Sequence, residues 1–285
     1  MPNRSRVALC AAAASVALMV VTWFAAFHVG ILERVDRAIL RGFAGLHRPR
    51  VDQVTGFVAG LCNPNPYVLF AAITVAVALI RRRPRVAVAV GLIMLGANTT
   101  TQLLKPLLAT PRSGAFPGPM IGAASWPSGH ATAVMALALC AVIVTPARLR
   151  PLVGAAMAAF AVGVCYSFLE LGWHYPSDVL GGFLVATTWT LLGAAVLSCL
   201  EARRPTRRHP SDWPAGAQVS IAEALAPMSL LVLGALLLAS LIALARPHAV
   251  VTYASAHVAF LAGAAGIAAL GLMIATGATL ALRRG

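Results

Sequence analysis

A histidine and an aspartate four residues apart, His174 and Asp178, are a pair that can do acid–base or nucleophilic chemistry. A carboxylate bonded to one imidazole nitrogen fixes the tautomer and frees the other nitrogen for attack. A second histidine, His130, follows Pro127-Ser128-Gly129. Ser128 is a good helix N-cap, and Gly129 lets a ligand come close to the backbone. Free N–H groups at a helix start, with the positive end of the helix dipole, make an anion site. Lys105 is the only lysine among 22 lysines and arginines. It shares helical spacing with Asn98 and Gln102, so one polar stripe climbs an apolar run, and such stripes usually face a protein interior. Arg112 lies seven residues on, past Pro106 and Pro111. Two cations near one loop can clamp a phosphate. Each feature has a plainer reading: a chance His–Asp spacing, an ordinary helix cap, a lysine snorkelling to an interface.

These residues need elements that bring them together, and the composition says what kind. Of 285 residues, 60% are hydrophobic and 11% charged. A soluble domain is nearer half apolar and a quarter charged. The apolar residues form long runs, and about 20 such residues cross a bilayer. Eight spans are expected, near 7–31, 64–80, 86–108, 128–145, 152–172, 178–200, 220–245 and 254–282. The first follows Arg4 and Arg6 and is too long for a typical signal core, so it reads as a membrane helix. The fold class is therefore all-α, a polytopic membrane helix bundle.

The net charge of +14 does not point to nucleic acid, because the arginines cluster between apolar runs. Arg4/Arg6, Arg81-Arg82-Arg83/Arg85, Arg148/Arg150, Arg203/Arg204/Arg207/Arg208 and Arg283/Arg284 all fall on one side of the eight-span count. The positive-inside rule makes that side cytoplasmic, with both termini. The loops at 109–127, 173–177 and 246–253, and with them all three motif segments, are then extracytoplasmic. Residues 33–52 carry five arginines on the outer side against that rule. There Arg34, Arg37 and Arg41 share one helical face and Val35, Ile39, Gly42 and Leu46 another, the pattern of a helix lying in the headgroup plane or of a solvated loop helix. Cys10, Cys62, Cys140, Cys165 and Cys199 form no CxxC pair and read as small buried hydrophobes. No metal-ligand cluster is visible. Four parts are expected: 1–50, an N-terminal span with the interfacial helix; 51–200, a core with the three motifs; 201–219, an Arg-, Pro- and His-rich cytoplasmic linker; and 220–285, a C-terminal helix pair.

Taken in order, the segments resemble the signature of the type 2 phosphatidic acid phosphatase superfamily, the lipid phosphate phosphatases with haloperoxidase relatives. That signature is Lys, six residues, Arg-Pro; then Pro-Ser-Gly-His; then Ser-Arg, five residues, His, three residues, Asp. Lys105 and Arg112 match the first part, residues 127–130 the second, and Ser167, His174 and Asp178 the third. Ser113 stands where the family has proline, and Phe168 where it has a second phosphate-binding arginine. The resemblance covers roughly 50–200 and implies a six-span phosphatase core with two added C-terminal spans. It also implies the roles. His174 attacks phosphorus and forms a phosphohistidine, Asp178 orients it, and His130 protonates the leaving oxygen. Lys105, Arg112, Ser128 and the Gly129 N–H hold the non-bridging oxygens. Asn98, Gln102, Ser167 and Glu170 stand as candidates for a supporting shell; Glu170 either orients a partner or is simply interfacial, with the second favoured. The family needs no metal, and no cofactor is implied.

The expected function is an integral-membrane phosphatase acting on a lipid phosphate or polyprenyl diphosphate at the extracytoplasmic face, with membrane lipids as partners. The Ala- and Arg-rich, Lys-poor composition suits a high-GC bacterium and its plasma membrane. The alternative is a weakened member that binds lipid phosphate without efficient turnover, because Phe168 removes an arginine. A charged hydrogen bond is worth about 1.5–3 kcal/mol, or about ten to over a hundred-fold in rate.

Overall fold

The computed structural model describes residues 3–112, 121–203 and 220–282. Ser113, most of the 201–219 linker, and Arg204, Arg207, Arg208, Arg283 and Arg284 lie outside them. The described residues form eleven helices: α1 (Asn3–His28), α2 (Gly30–Ala44), α3 (Pro49–Gly60), α4 (Pro64–Ile80), α5 (Pro84–Leu107), α6 (Gly129–Val144), α7 (Arg150–Glu170), α8 (Pro176–Arg203), α9 (Ile221–Ala245), α10 (Pro247–Ala256) and α11 (Val258–Leu282). Prolines open α3, α4, α5, α7, α8 and α10, where a missing N–H costs nothing.

Six of these helices are long and apolar enough to cross a membrane: α1, α5, α7, α8, α9 and α11. Helices α3 and α4 pass that test together but are bent by 48° at their junction. Helix α6 has only 16 residues, about 24 Å of rise. It is enclosed by α4, α5, α7, α8 and α11, and most of its Ala- and Val-rich surface is buried. The expected spans correspond to α1, α4, α5, α6, α7, α8, α9 and α11. The 246–253 loop is instead largely the short helix α10.

Burial confirms which solvent the outer surface meets. Large apolar side chains on α9, among them Leu230, Leu233, Leu236 and Leu244, are more than half exposed, an arrangement suited to lipid rather than water. The interior holds Trp126, Phe168, Phe183, Leu40 and Met135.

The 33–52 segment differs from its expected faces. Asp36, Leu40, Gly42 and Phe43 are the buried residues of α2, whereas Val35 and Leu46 are exposed. The inward stripe is thus turned from the expected face towards Asp36. The reason is tertiary: Asp36 meets an arginine and two donors of Ser177, and Leu40 and Phe43 join the core beside it. Arg34 and Arg41 stay exposed, and Arg37 lies 3.9 Å from Glu33.

The packing of α6 against α8 positions the chemistry. A Cβ on Gly182 would sit 2.7 Å from the Ser128 carbonyl oxygen and 2.9 Å from the Thr132 nitrogen. Only glycine allows so close an approach. One residue earlier, Gly181 makes room for the Trp126 indole, whose Nε1 donates to the Ser177 carbonyl at 3.1 Å. The Ser128 N–H donates to the Asp178 carbonyl at 2.9 Å. The starts of α6 and α8 are therefore fastened together.

Candidate active site

His174 sits in a short turn whose ends are both fixed by backbone geometry. Helix α7 ends with Gly172 at φ 69°, in the left-handed region. Gly172 N–H donates to the Leu169 carbonyl at 3.1 Å and Trp173 N–H to the Phe168 carbonyl at 2.9 Å. That is the Schellman pattern, which closes a helix and redirects the chain. Helix α8 then begins at Pro176. Asp178, in its first turn, reaches back so that Oδ2 accepts the Tyr175 N–H at 3.0 Å, as the acid of a capping box does. The same Oδ2 lies 3.3 Å from His174 Nδ1. The capping acid and the imidazole-orienting acid are one residue, fully buried.

His130 comes from the first turn of α6. Ser128 caps that helix as expected, its hydroxyl accepting the Ala131 N–H at 3.3 Å. The first-turn amides of Gly129 and His130 are among those a helix start leaves without an intrahelical acceptor. The His130 and His174 ring centroids are 6.3 Å apart. Trp173 and Phe168 flank His130 at 5.6 and 6.0 Å, and Phe168 meets His174 edge-on at 5.3 Å. Phe168 is completely buried, so where an arginine was expected an apolar wall backs both imidazoles.

Lys105, on the last turns of α5, points at the same place. A Cβ on Gly129 would lie 3.8 Å from Lys105 Nζ and 3.5 Å from Gln102 Nε2. An ammonium therefore stands over the α6 N-terminus, where it adds to the positive end of the helix dipole. One turn further into the bundle, Thr101 and Thr132 hydroxyls are 2.9 Å apart and tie α5 to α6. Asn98 sits deeper still, donating to the Tyr67 hydroxyl at 2.8 Å and the Met94 carbonyl at 2.9 Å. Ser167 donates to the Gly163 carbonyl of its own helix at 2.8 Å.

Arg112 is held differently. Its Nη2 donates to Asp178 Oδ1 at 2.6 Å and to Ser177 Oγ at 3.0 Å, and its Nη1 donates to Asp36 Oδ2. The guanidinium lies over the Phe27 and Tyr175 rings, 4.5 and 4.0 Å from their centroids. The side chain is 5% exposed. Asp36 also accepts the Ser177 N–H at 2.9 Å and its hydroxyl at 2.6 Å. Burial pushes the Asp36 carboxyl above the usual carboxylate range, and Arg112 and the Ser177 hydrogen bonds pull the other way.

Two residues of the site carried no motif. Asp36 is one. Asn63 is the other: it sits at the N-cap of α4 yet makes no side-chain cap bond, because its Oδ1 is 3.0 Å from His130 Nε2. Glu170 is buried rather than interfacial. Its Oε2 accepts the Thr55 hydroxyl at 2.8 Å, and His47 Nδ1 lies 3.3 Å from its Oε1. His47 Nε2 lies 3.2 Å from Asp52 Oδ2. Ligand-type atoms of His47, Asp52 and Glu170 thus fall within 4.8 Å of one another, a grouping the sequence did not display. The three are spread over α3, the turn before it and the end of α7, so no spacing announces them. A groove of about 660 Å³ between α9 and α11 contains none of the motif residues.

Gln102, Lys105, Arg112, Ser128, His130, His174 and Asp178 gather at the N-terminal ends of α6 and α8, whereas Asn98 and Ser167 are bonded elsewhere. The arginines of the other end reach the last turn of α6 and its exit: Arg83 donates to the Ile143 carbonyl and Arg150 Nε to the Thr145 carbonyl at 3.1 Å.

Residues 86–204 match the sequence model of the PAP2 superfamily. No curated protein matches the chain. Among solved structures, the fold is similar to that of a transmembrane PAP2-type phosphatidylglycerolphosphate phosphatase from Bacillus subtilis. The TM-score is 0.52 at 21% identity, over 70% of this chain and 98% of that one. The segment that fastens His130 to His174 is accordingly similar in sequence to the PAP2 superfamily over residues 86–204, and the bundle around it shares the fold of a transmembrane PAP2-type phosphatase.

Proposed function

We propose that this protein is an integral-membrane phosphatase that hydrolyses a lipid phosphate or polyprenyl diphosphate through a phosphohistidine. The observation that carries the reading is the pair of imidazoles. Their rings are 6.3 Å apart, one oriented by Asp178 and the other at a helix N-terminus beside the Lys105 ammonium. One phosphoryl group fits between such groups.

His174 Nε2 attacks phosphorus in line, forming an N–P bond as the P–O bond to the leaving oxygen breaks. Asp178 stabilises the imidazolium that results. His130 gives its proton to the leaving oxygen, then takes one from the water that attacks the phosphohistidine and releases phosphate. Lys105 and the Gly129 amide hold the non-bridging oxygens. The arginine-lined end is assigned to the cytoplasm by the positive-inside rule, so the site opens on the extracytoplasmic leaflet of a bacterial plasma membrane. A phosphate at headgroup depth suits phosphatidic acid, a polyprenyl diphosphate, or the phosphatidylglycerolphosphate named for the solved neighbour.

The test is phosphate release from these lipids in detergent with chelator present. Release is expected from the wild type and should vanish in His174→Ala. Undiminished release from that variant would refute the nucleophile. A second reading, binding with little turnover, is favoured by Phe168 alone. It predicts a wild type inactive on every lipid tested and a Phe168→Arg variant that gains turnover.

A further inference from the structure

Arg112 stands where the resemblance implies a phosphate ligand, yet its guanidinium is already committed. It lies over the Phe27 and Tyr175 rings, and its Nη groups are bonded to Asp36, Ser177 and Asp178. Of its nitrogens only Nε, also buried, makes no hydrogen bond. The residue that completes this arrangement is Asp36. It comes from α2, outside the 86–204 family segment, and reaches 141 positions along the chain to the backbone and hydroxyl of Ser177.

We propose that Asp36 is a positioning residue: it captures Arg112 so that the guanidinium is spent on Asp178, and through it on His174, rather than on the substrate's phosphate. This rests on the phosphatase reading above. One carboxylate, Asp178, serves two partners at once, with Oδ1 on Arg112 and Oδ2 facing His174. Fixing Oδ1 fixes the plane of the carboxylate and so the direction in which Oδ2 meets Nδ1. Asp36 fixes Arg112 in turn and balances its charge, so Asp178 is not drawn wholly into one ion pair. Ser177 locks the pair to the α8 start through its N–H and hydroxyl.

Two readouts separate this from a phosphate-binding Arg112. A residue used only to orient the nucleophile should change kcat and leave KM for the phosphorylated lipid within a few-fold. Asp36→Asn keeps an acceptor for the Ser177 N–H while removing the charge that holds Arg112. Its kcat should fall about ten- to a hundred-fold, the value of a charged hydrogen bond. Asp36→Glu should recover part of the loss. Arg112→Lys, which keeps the charge but loses the fork, should resemble Asp36→Asn rather than raise KM.

The second readout needs no turnover. Nitrogen-15 histidine NMR of the protein in nanodiscs reports the His174 tautomer, and inorganic phosphate titration reports the anion site. Asp36→Asn should change the His174 ring signals and leave phosphate affinity unchanged or tighter. Melting temperature is measured on each variant, and Ser177→Ala serves as a second probe of the same network. Unaltered His174 signals in folded Asp36→Asn, or phosphate affinity lost in Arg112→Lys with those signals intact, would overturn the proposal. Absence of turnover in the wild type would count against the phosphatase reading alone, because the spectroscopic arm stands without it.

Discussion

At the scale of single residues, the site divides duties that the motifs do not distinguish. Asp178 caps α8, orients His174 and pairs with Arg112, using its carboxylate for all three and its carbonyl to hold Ser128. His130 has a steering partner of its own in Asn63. A neutral amide can hold an imidazole in place without fixing its charge, which suits the acid–base role proposed for His130. Asn63→Ala should slow hydrolysis of an alkyl phosphate about ten-fold. An aryl phosphate with a good leaving group, which needs little protonation, should be hydrolysed almost as fast as by the wild type. Comparing the two substrate classes checks the assignment; equal losses on both would remove His130 as the acid. His174, Asp178, His130 and Lys105 were readable because each lies in or beside a short local pattern. Asp36 and Asn63 were not, because their roles exist only across the bundle. Yet Asp36 left a trace: it falls at i, i+4, i+7 with Leu40 and Phe43, an acid on an apolar stripe.

At the scale of elements, the site is set by how helices end and how closely they approach. The Gly172 turn stops α7 and delivers His174, and Gly182 lets α8 reach the start of α6. Gly182→Ala would drive a methyl into the Ser128 carbonyl and the Ala131 side chain. Overpacking of this kind costs about 1–3 kcal/mol, so the variant should melt several degrees lower in detergent. Phosphate release should fall with it, since His130 and His174 would be pushed apart. A melt and an activity equal to the wild type would show the approach to be looser than described. The apolar runs marked a helix for each of the eight expected spans, but six of those helices are by themselves long and apolar enough to cross a bilayer, which demands about 20 apolar residues; α4 qualifies only together with α3, and α6 is shorter. The rotation of α2 was harder to read. Its arginines pointed to a headgroup helix, but its buried face is decided by a partner, Arg112, that lies 76 positions away.

At the scale of the whole molecule, the C-terminal helices pack on helices that carry the candidate site. Helix α11 packs on α7 and α2. A Cβ on Gly42 would lie 2.2 Å from Phe260 Cβ, and a Cβ on Gly263 would lie 2.4 Å from the Ile39 side chain. The Tyr253 hydroxyl donates to the Gly42 carbonyl. Gly42→Leu should therefore part α11 from α2, lowering both the melting temperature and kcat, and a variant with normal kcat would uncouple the two. The C-terminal pair expected over 220–285 packs on α7 and α2 of the preceding helices. Sequence could not show this, because glycines that let two helices touch look the same as glycines on a lipid-facing side. Helix α2 is thus gripped on one flank by α10 and α11 while its Asp36 grips Arg112 on the other. In related chains, an acid at the place of Asp36 and the extra C-terminal helices should be inherited, or lost, as one unit.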